Sequence, residues 1–108
     1  MNYKQDLLIS LSSGTTGKPK GVISTHQIIQ AQITTLIDAW KWEPSDYILN
    51  VLPLHHVHGL VNALLCPLWV GACCELHSEY ETDEIWSDFE GGRITVFMAV
   101  PTIYFKLL

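Results

Sequence analysis

Between Ser12 and Gly21 the chain reads Ser-Ser-Gly-Thr-Thr-Gly-Lys-Pro-Lys-Gly. Ser12, Ser13, Thr15 and Thr16 carry hydroxyls, Gly14 and Gly17 carry no side chain, and Lys18 and Lys20 are two of the chain's six basic residues. These residue types in this order suit a phosphate. Hydroxyls and backbone N–H groups donate to phosphate oxygens, glycines let the backbone approach closely, and lysine supplies positive charge. The spacing is not that of a Walker A loop, which would need glycine where Pro19 stands, and it is not GxGxxG. The competing reading is a plain flexible linker. Linkers do not usually join two lysines, a proline and four hydroxyls directly after an apolar run.

A second cluster lies at Pro53-Leu-His-His-Val-His-Gly59, where His55, His56 and His58 fall within four residues. His56-Val-His58 resembles half of an HxHxDH metal site. Gly59 and Leu60 follow instead of the aspartate that would complete it, so a structural loop is the better reading than a zinc centre. Cys66, Cys73 and Cys74 are an odd number with no CxxC pair. They read as buried thiols in a reducing compartment rather than a disulfide framework.

Elements must position these groups. The chain has 108 residues, 48% hydrophobic and only 16% charged. A small free domain normally carries about 25% charge, so the sequence reads as the interior of something larger. Net charge is −5 with six Lys and Arg, which excludes a basic footprint for nucleic acid. Glu75, Glu79, Glu81, Asp83, Glu84, Asp88 and Glu90 hold seven of the eleven acids, as expected of a solvated helix face and its loop. The polar opening Met-Asn-Tyr-Lys-Gln-Asp does not read as a signal peptide. The apolar stretch from Leu60 to Cys74 is broken by Asn62 and Pro67 and is too short to span a bilayer.

Leu7–Leu11 reads as a buried strand leading into the hydroxyl-rich loop, with a brief strand at Val22 and Ile23 after it. Ser24 and Gln27 have the spacing of a capping box, and Ile29, Ile33, Leu36, Ile37 and Trp40 follow at helical spacing. A turn at Glu43–Asp46 leads to a second buried strand, Tyr47–Leu52, and then to the histidines. Gly59–Trp69 predicts a helix with Leu60, Val61, Leu64, Leu65, Leu68 and Trp69 on its apolar face and a kink or stop at Pro67. Ala72–Leu76 reads as a strand. Thr82 is expected to cap a helix through Phe89, with Asp83 and Glu84 at its positive end and Gly91-Gly92 stopping it. Thr95–Met98 reads as a strand, and Pro101 suits the first turn of a last helix. Strands alternating with helices at this spacing argue for an α/β fold with mostly parallel pairing.

Ser13-Gly-Thr-Thr-Gly-Lys-Pro-Lys-Gly21 resembles the signature of the AMP-forming adenylating enzymes, which include acyl-CoA synthetases, luciferases and peptide-synthetase adenylation domains. Nine consecutive positions agree. Leu11 departs, standing where that family usually has an aromatic ring, and Ser12 stands for threonine but keeps the hydroxyl. Leu52–Ala72 and Val96–Tyr104 narrow the likeness to the malonyl-CoA synthetase branch, and it extends from about Leu7 to Leu108. The resemblance implies that Ser12, Ser13, Gly14, Thr15, Thr16, Gly17 and Lys18, with Lys20, hold the β- and γ-phosphates of ATP. It implies that His56 sits at the mouth of the acyl pocket, with His55 in place of the family's Phe, and that Met98, Ala99 and Pro101 line that pocket. A histidine there could donate a hydrogen bond to a carboxylate or carry charge beside it. Read from pattern alone, Val96–Met98 would be a core strand.

The implied parent is an ATP-dependent acid–thiol ligase using ATP, Mg²⁺ and coenzyme A to activate a carboxylate, malonate by the branch, in the cytosol or mitochondrion. This chain would be one slice of its large N-terminal domain. The Tyr-Gly-x-Thr-Glu adenine and metal motif, the ribose aspartate and the C-terminal lysine domain are not found in these 108 residues. The slice alone is therefore expected to be catalytically dead, packed in life against the remainder of its own domain. A phosphate-binding module without chemistry and a non-functional truncated product are the alternatives.

Overall fold

The computed structural model describes residues 4–12 and 17–108, with Ser12 described by its backbone alone. The chain opens with a hairpin. Strand β1 (Asp6–Ser12) pairs antiparallel with β2 (Lys20–Thr25), with Ile9 opposite Ile23 and Ser12 opposite Lys20. The hydroxyl-rich loop is thus the tip of a hairpin. The expectation of a buried first strand is overturned: Leu7, Ile9 and Leu11 are 50%, 65% and 75% exposed, while Leu8 and Ser10 are half-buried. A strand's side chains alternate between two faces, and the ladder of described residues here has only two strands, so just one face meets the core.

Helix α1 (His26–Trp40) starts at Thr25, one residue after the expected capping box. The Thr25 hydroxyl accepts from the Ile28 N–H at 3.2 Å. Ile29 and Ile33 are buried as the helical spacing predicts. Trp40 is not: it is 48% exposed, and Trp42 is buried instead. Lys41 ends the helix in the left-handed region at φ 56°. That reversal swings the chain so that Trp42 turns inward.

The core sheet has three strands in the order β4-β3-β5, where β3 is Tyr47–Asn50, β4 is Cys73–Leu76 and β5 is Val96–Met98. Both pairings are parallel, with Asn50 opposite Leu76 on one side and Met98 on the other. Each parallel step needs a crossover. The first is one continuous helical stretch, a π-helix over His58–Leu65 running into α2 (Cys66–Val70). The expected apolar stripe holds at Val61, which is buried, and in part at Leu60, Leu64 and Leu65, which are half-buried. Leu68 and Trp69 are exposed, while Gly59, Val61, Ala63, Cys66 and Pro67 are buried. The widened turn shifts the inward face, as the Cys66 N–H bonding back to the Val61 carbonyl shows. Pro67 has no N–H for the Ala63 carbonyl four residues before it. The Cys74 thiol donates to that carbonyl instead, at 3.3 Å.

The second crossover is α3 (Thr82–Glu90). Its N-cap is Glu81 rather than Thr82, with no side-chain cap bond, and Asp83 and Glu84 occupy the first turn. Helix α4 (Pro101–Leu107) follows β5 and begins on Pro101. The core cluster includes Ile48, Leu49, Val61, Cys66, Ile85 and Ile103. All three cysteines are free, but the expectation of buried thiols holds only for Cys66: on β4 the neighbours Cys73 and Cys74 point to opposite faces and are exposed and half-buried. Among the described residues, no helix is long and apolar enough to cross a membrane.

Candidate active site

The parallel sheet brings two of the sequence clusters to one end. The histidine loop leaves the carboxyl end of β3, and Ala99–Pro101 leave the carboxyl end of β5, its direct neighbour. Open α/β sheets bind ligands at the carboxyl ends of their strands.

Asn50, the last residue of β3, fixes the start of the histidine loop. It is 1% exposed. Its Oδ1 accepts from the Leu52 N–H at 3.0 Å, and its Nδ2 donates to the Gly59 carbonyl at 3.2 Å. One side chain therefore ties both ends of the segment from Leu52 to Gly59. Gly59 lies so close to Pro53 that a Cβ would collide with the Pro53 carbonyl oxygen. The sequence reading did not single out Asn50. The available signal was a lone amide at the end of an otherwise apolar run.

Within the loop, His55 and His56 are exposed and their ring centroids lie 4.2 Å apart. The His56 N–H donates to the Pro53 carbonyl at 3.3 Å. His58 is half-buried at the start of the π-helix. A cavity of about 330 Å³ is lined by Met98 and Ala99 together with His58, Trp42, Phe97 and Tyr104. His56 and Pro101, both exposed, do not line it. The strand that pattern alone assigns to the core, Val96–Met98, is half-buried throughout and forms part of this wall.

Of the phosphate-loop residues, Ser13, Gly14, Thr15 and Thr16 lie outside the described residues, as does the Ser12 side chain. Gly17 has φ +80° with open space where a Cβ would point, and Lys18 and Lys20 are exposed. An open glycine in the left-handed region beside two exposed ammonium groups suits a phosphate.

A polar cluster lies beside the sheet. Tyr47 donates to Glu75 at 2.8 Å, and His77 Nε2 lies 3.1 Å from the other Glu75 oxygen. Arg93 lies 3.3 Å from Glu75 and 3.6 Å from Asp88. Hydrogen bonding to His77 and then to Tyr47 holds the Glu75 carboxyl below the usual carboxylate range. The bond to Glu75, with burial, pushes the Tyr47 phenol up to about 12. Glu75, His77 and Asp88 place possible ligand atoms within 4.8 Å of one another. Arg93 already balances both carboxylates, so the cluster ties β3, β4 and α3 together electrostatically.

The family model of the AMP-binding enzymes matches residues 4–108. The chain belongs to that family. It is 60% identical over 104 residues to a mitochondrial malonate–CoA ligase of Homo sapiens, covering 94% of this chain and 18% of the relative. It is 42% identical over 111 residues to a malonate–CoA ligase of Arabidopsis thaliana, with the same coverage. The apo crystal structure of the enzyme MatB from Rhodopseudomonas palustris superimposes with a TM-score of 0.90 at 30% identity, covering 99% of this chain and 21% of that one. A malonyl-CoA ligase solved with methylmalonyl-CoA and AMP gives 0.86 at 34% identity, covering 95% of this chain and 22% of that one. The chain thus spans about a fifth of the length of the relatives it matches, and its α/β fold is that of a part of the N-terminal domain of adenylate-forming enzymes.

Proposed function

We propose that the protein containing this chain is a malonate–CoA ligase. The observation that carries the reading is the 60% identity to the human malonate–CoA ligase, which runs through both sequence clusters. The geometry supports it, because β3 and β5 deliver the histidine loop and the Met98–Pro101 segment to one end of one sheet. The family reaction has two steps. A carboxylate oxygen attacks the α-phosphorus of ATP, forming an acyl adenylate and releasing pyrophosphate. The thiol of coenzyme A then attacks the acyl carbon, forming the thioester and releasing AMP.

The chain's own residues contribute binding to this scheme. Ser12, Ser13, Thr15 and Thr16 with the backbone of Gly14 and Gly17 would hold the β- and γ-phosphates, and Lys18 would offset their charge. Lys20 would hold the loop's base, where it pairs with Ser12 across the hairpin. Mg²⁺ would travel on the triphosphate, since this loop offers hydroxyls and ammonium groups rather than carboxylates. Met98 and Ala99 would face the acyl group; His56 and Pro101 lie outside the cavity that those two line. The mitochondrion is the proposed compartment, after the relatives named for it. Adenine, ribose and coenzyme A contacts would come from the rest of the protein.

Malonate-dependent exchange of pyrophosphate into ATP by the full-length protein tests the reading. Exchange with malonate and not with a long-chain fatty acid is the expected result, and the reverse preference removes the malonate assignment. Lys18→Ala should lower kcat/KM for ATP by at least tenfold; unchanged kinetics would sink the phosphate-loop assignment.

A further inference from the structure

Two strands of the core sheet hold the helix that carries His58. The stretch His58–Leu65 is a π-helix, a form that is rare and concentrates at functional sites. Two side chains of the sheet donate to its carbonyls. Asn50 Nδ2 reaches the Gly59 carbonyl at 3.2 Å, and the Cys74 thiol reaches the Ala63 carbonyl at 3.3 Å. Cys74 is the parallel partner of Ile48, and Ile48 and Asn50 alternate onto one side of β3, so both donors stand on the same face of the sheet. Burial pushes the Cys74 thiol above its ordinary value, which keeps it protonated and able to donate. Pro67, with no N–H of its own, leaves the Ala63 carbonyl open to that thiol. The helix held in this way begins at His58, which lines the 330 Å³ cavity together with Met98 and Ala99. A shift of one residue in register turns a helical side chain by about 100°, which would carry His58 off that wall.

We infer that Asn50 and Cys74 are positioning residues for acyl binding: together they fix the register of the π-helix that places His58 on the cavity wall. The inference rests on the malonate–CoA ligase reading above and adds to it how that wall is held. Both residues act through the helix, since neither lines the cavity. The phosphate loop belongs to the β1-β2 hairpin, which neither bond touches. Loss of either bond should therefore fall on the carboxylate substrate and spare ATP. A displacement of about 1 Å in a positioning group can cost about a hundredfold.

The test uses the full-length protein, with KM measured for malonate and for ATP well below the unfolding midpoint of each variant. Cys74→Val fills the space and removes the donor, and Cys74→Ser restores one. Asn50→Asp keeps an oxygen to accept from Leu52 and loses the donor to Gly59. The KM for malonate should rise about tenfold in Cys74→Val and in Asn50→Asp, while the KM for ATP moves by less than about twofold. Cys74→Ser should recover most of the wild-type value. A merely structural role lowers the unfolding midpoint and leaves the two KM values in their wild-type ratio, and that result in the folded variants overturns the inference. So does a Cys74→Ser variant as impaired as Cys74→Val. If the substitution on one strand does not fold, the one on the other strand decides alone. A wild-type protein that activates a different carboxylate removes the malonate reading only, and the same ratios are then taken with that acid.

Discussion

At the residue scale, the histidine loop depends on two side chains, or their absence. Asn50 satisfies the Leu52 N–H and the Gly59 carbonyl together. Asn50→Ala leaves both buried and unpaired, at a cost of about 2–4 kcal/mol. Gly59→Ala drives a Cβ into the Pro53 carbonyl oxygen. Because the obstacle is backbone rather than a flexible side chain, that substitution should cost about 3 kcal/mol or more. Thermal unfolding of the full-length protein should show both losses. A midpoint within a degree of wild type for Asn50→Ala would mean that the loop is held by something other than this amide. The histidines themselves were legible in the sequence, since their types and crowding are visible as letters. Asn50 and Trp42 were not singled out. Their importance comes from burial, and burial depends on where the chain goes after the local pattern ends: at the end of β3 for Asn50, and past the left-handed Lys41 for Trp42.

At the element scale, β3, β4 and α3 are joined by a charge network as well as by apolar packing. Glu75 accepts from Tyr47, meets His77 and pairs with Arg93, which reaches Asp88. Its folded-state pKa lies below the ordinary 4.5. A carboxyl lowered by folding stabilises the fold above its unfolded value, and that contribution is lost as pH falls through the folded value. Stability should therefore decline below about pH 4.5, and Glu75→Gln should flatten that acid limb while lowering stability at neutral pH. Tyr47 works on the opposite side. Its pKa is raised to about 12, so its contribution is intact below the ordinary 10 and is lost as pH rises from there through 12. Denaturant unfolding at a series of pH values reads both limbs. An acid limb of equal slope in Glu75→Gln would assign the acid sensitivity to other carboxylates. The elements were largely legible: all three parallel strands and α1 fall where apolar spacing places them, α3 lies between Thr82 and the Gly91-Gly92 stop, and α4 begins at Pro101. The misplaced features were caps and part of a stripe. Thr25 rather than Ser24 caps α1, because capping is decided by one dihedral, and the π-helix turned part of a regular apolar repeat away from the core.

At the scale of the whole molecule, the fold leaves apolar surface exposed on its first hairpin. Leu7, Ile9, Leu11 and Ile23 are each 50% exposed or more, with Ile9 and Ile23 paired on one face of the hairpin that carries the phosphate loop. Contiguous patches of that kind on a soluble protein normally mark contact with something else. The chain spans 18% of the human relative's length, so most of a relative's chain is available to cover the hairpin. The two accounts of this face make different numerical claims. If the face is solvent-exposed in the full-length protein, Ile9→Asp changes stability by no more than about 0.5 kcal/mol. If the remainder of the domain packs on it, the same substitution buries an unpaired carboxylate and costs several-fold more, about 2 kcal/mol or above. The second outcome is expected. It also explains why the sequence could read Leu7–Leu11 as a buried strand while the structure exposes it: the alternating apolar residues answer to a partner layer that these 108 residues do not contain. Unfolding of the full-length Ile9→Asp variant, beside Gln30→Asp on the exposed side of α1 as a surface control, decides between the two. Equal, small effects at both positions would make the hairpin face a true surface and remove the packing explanation.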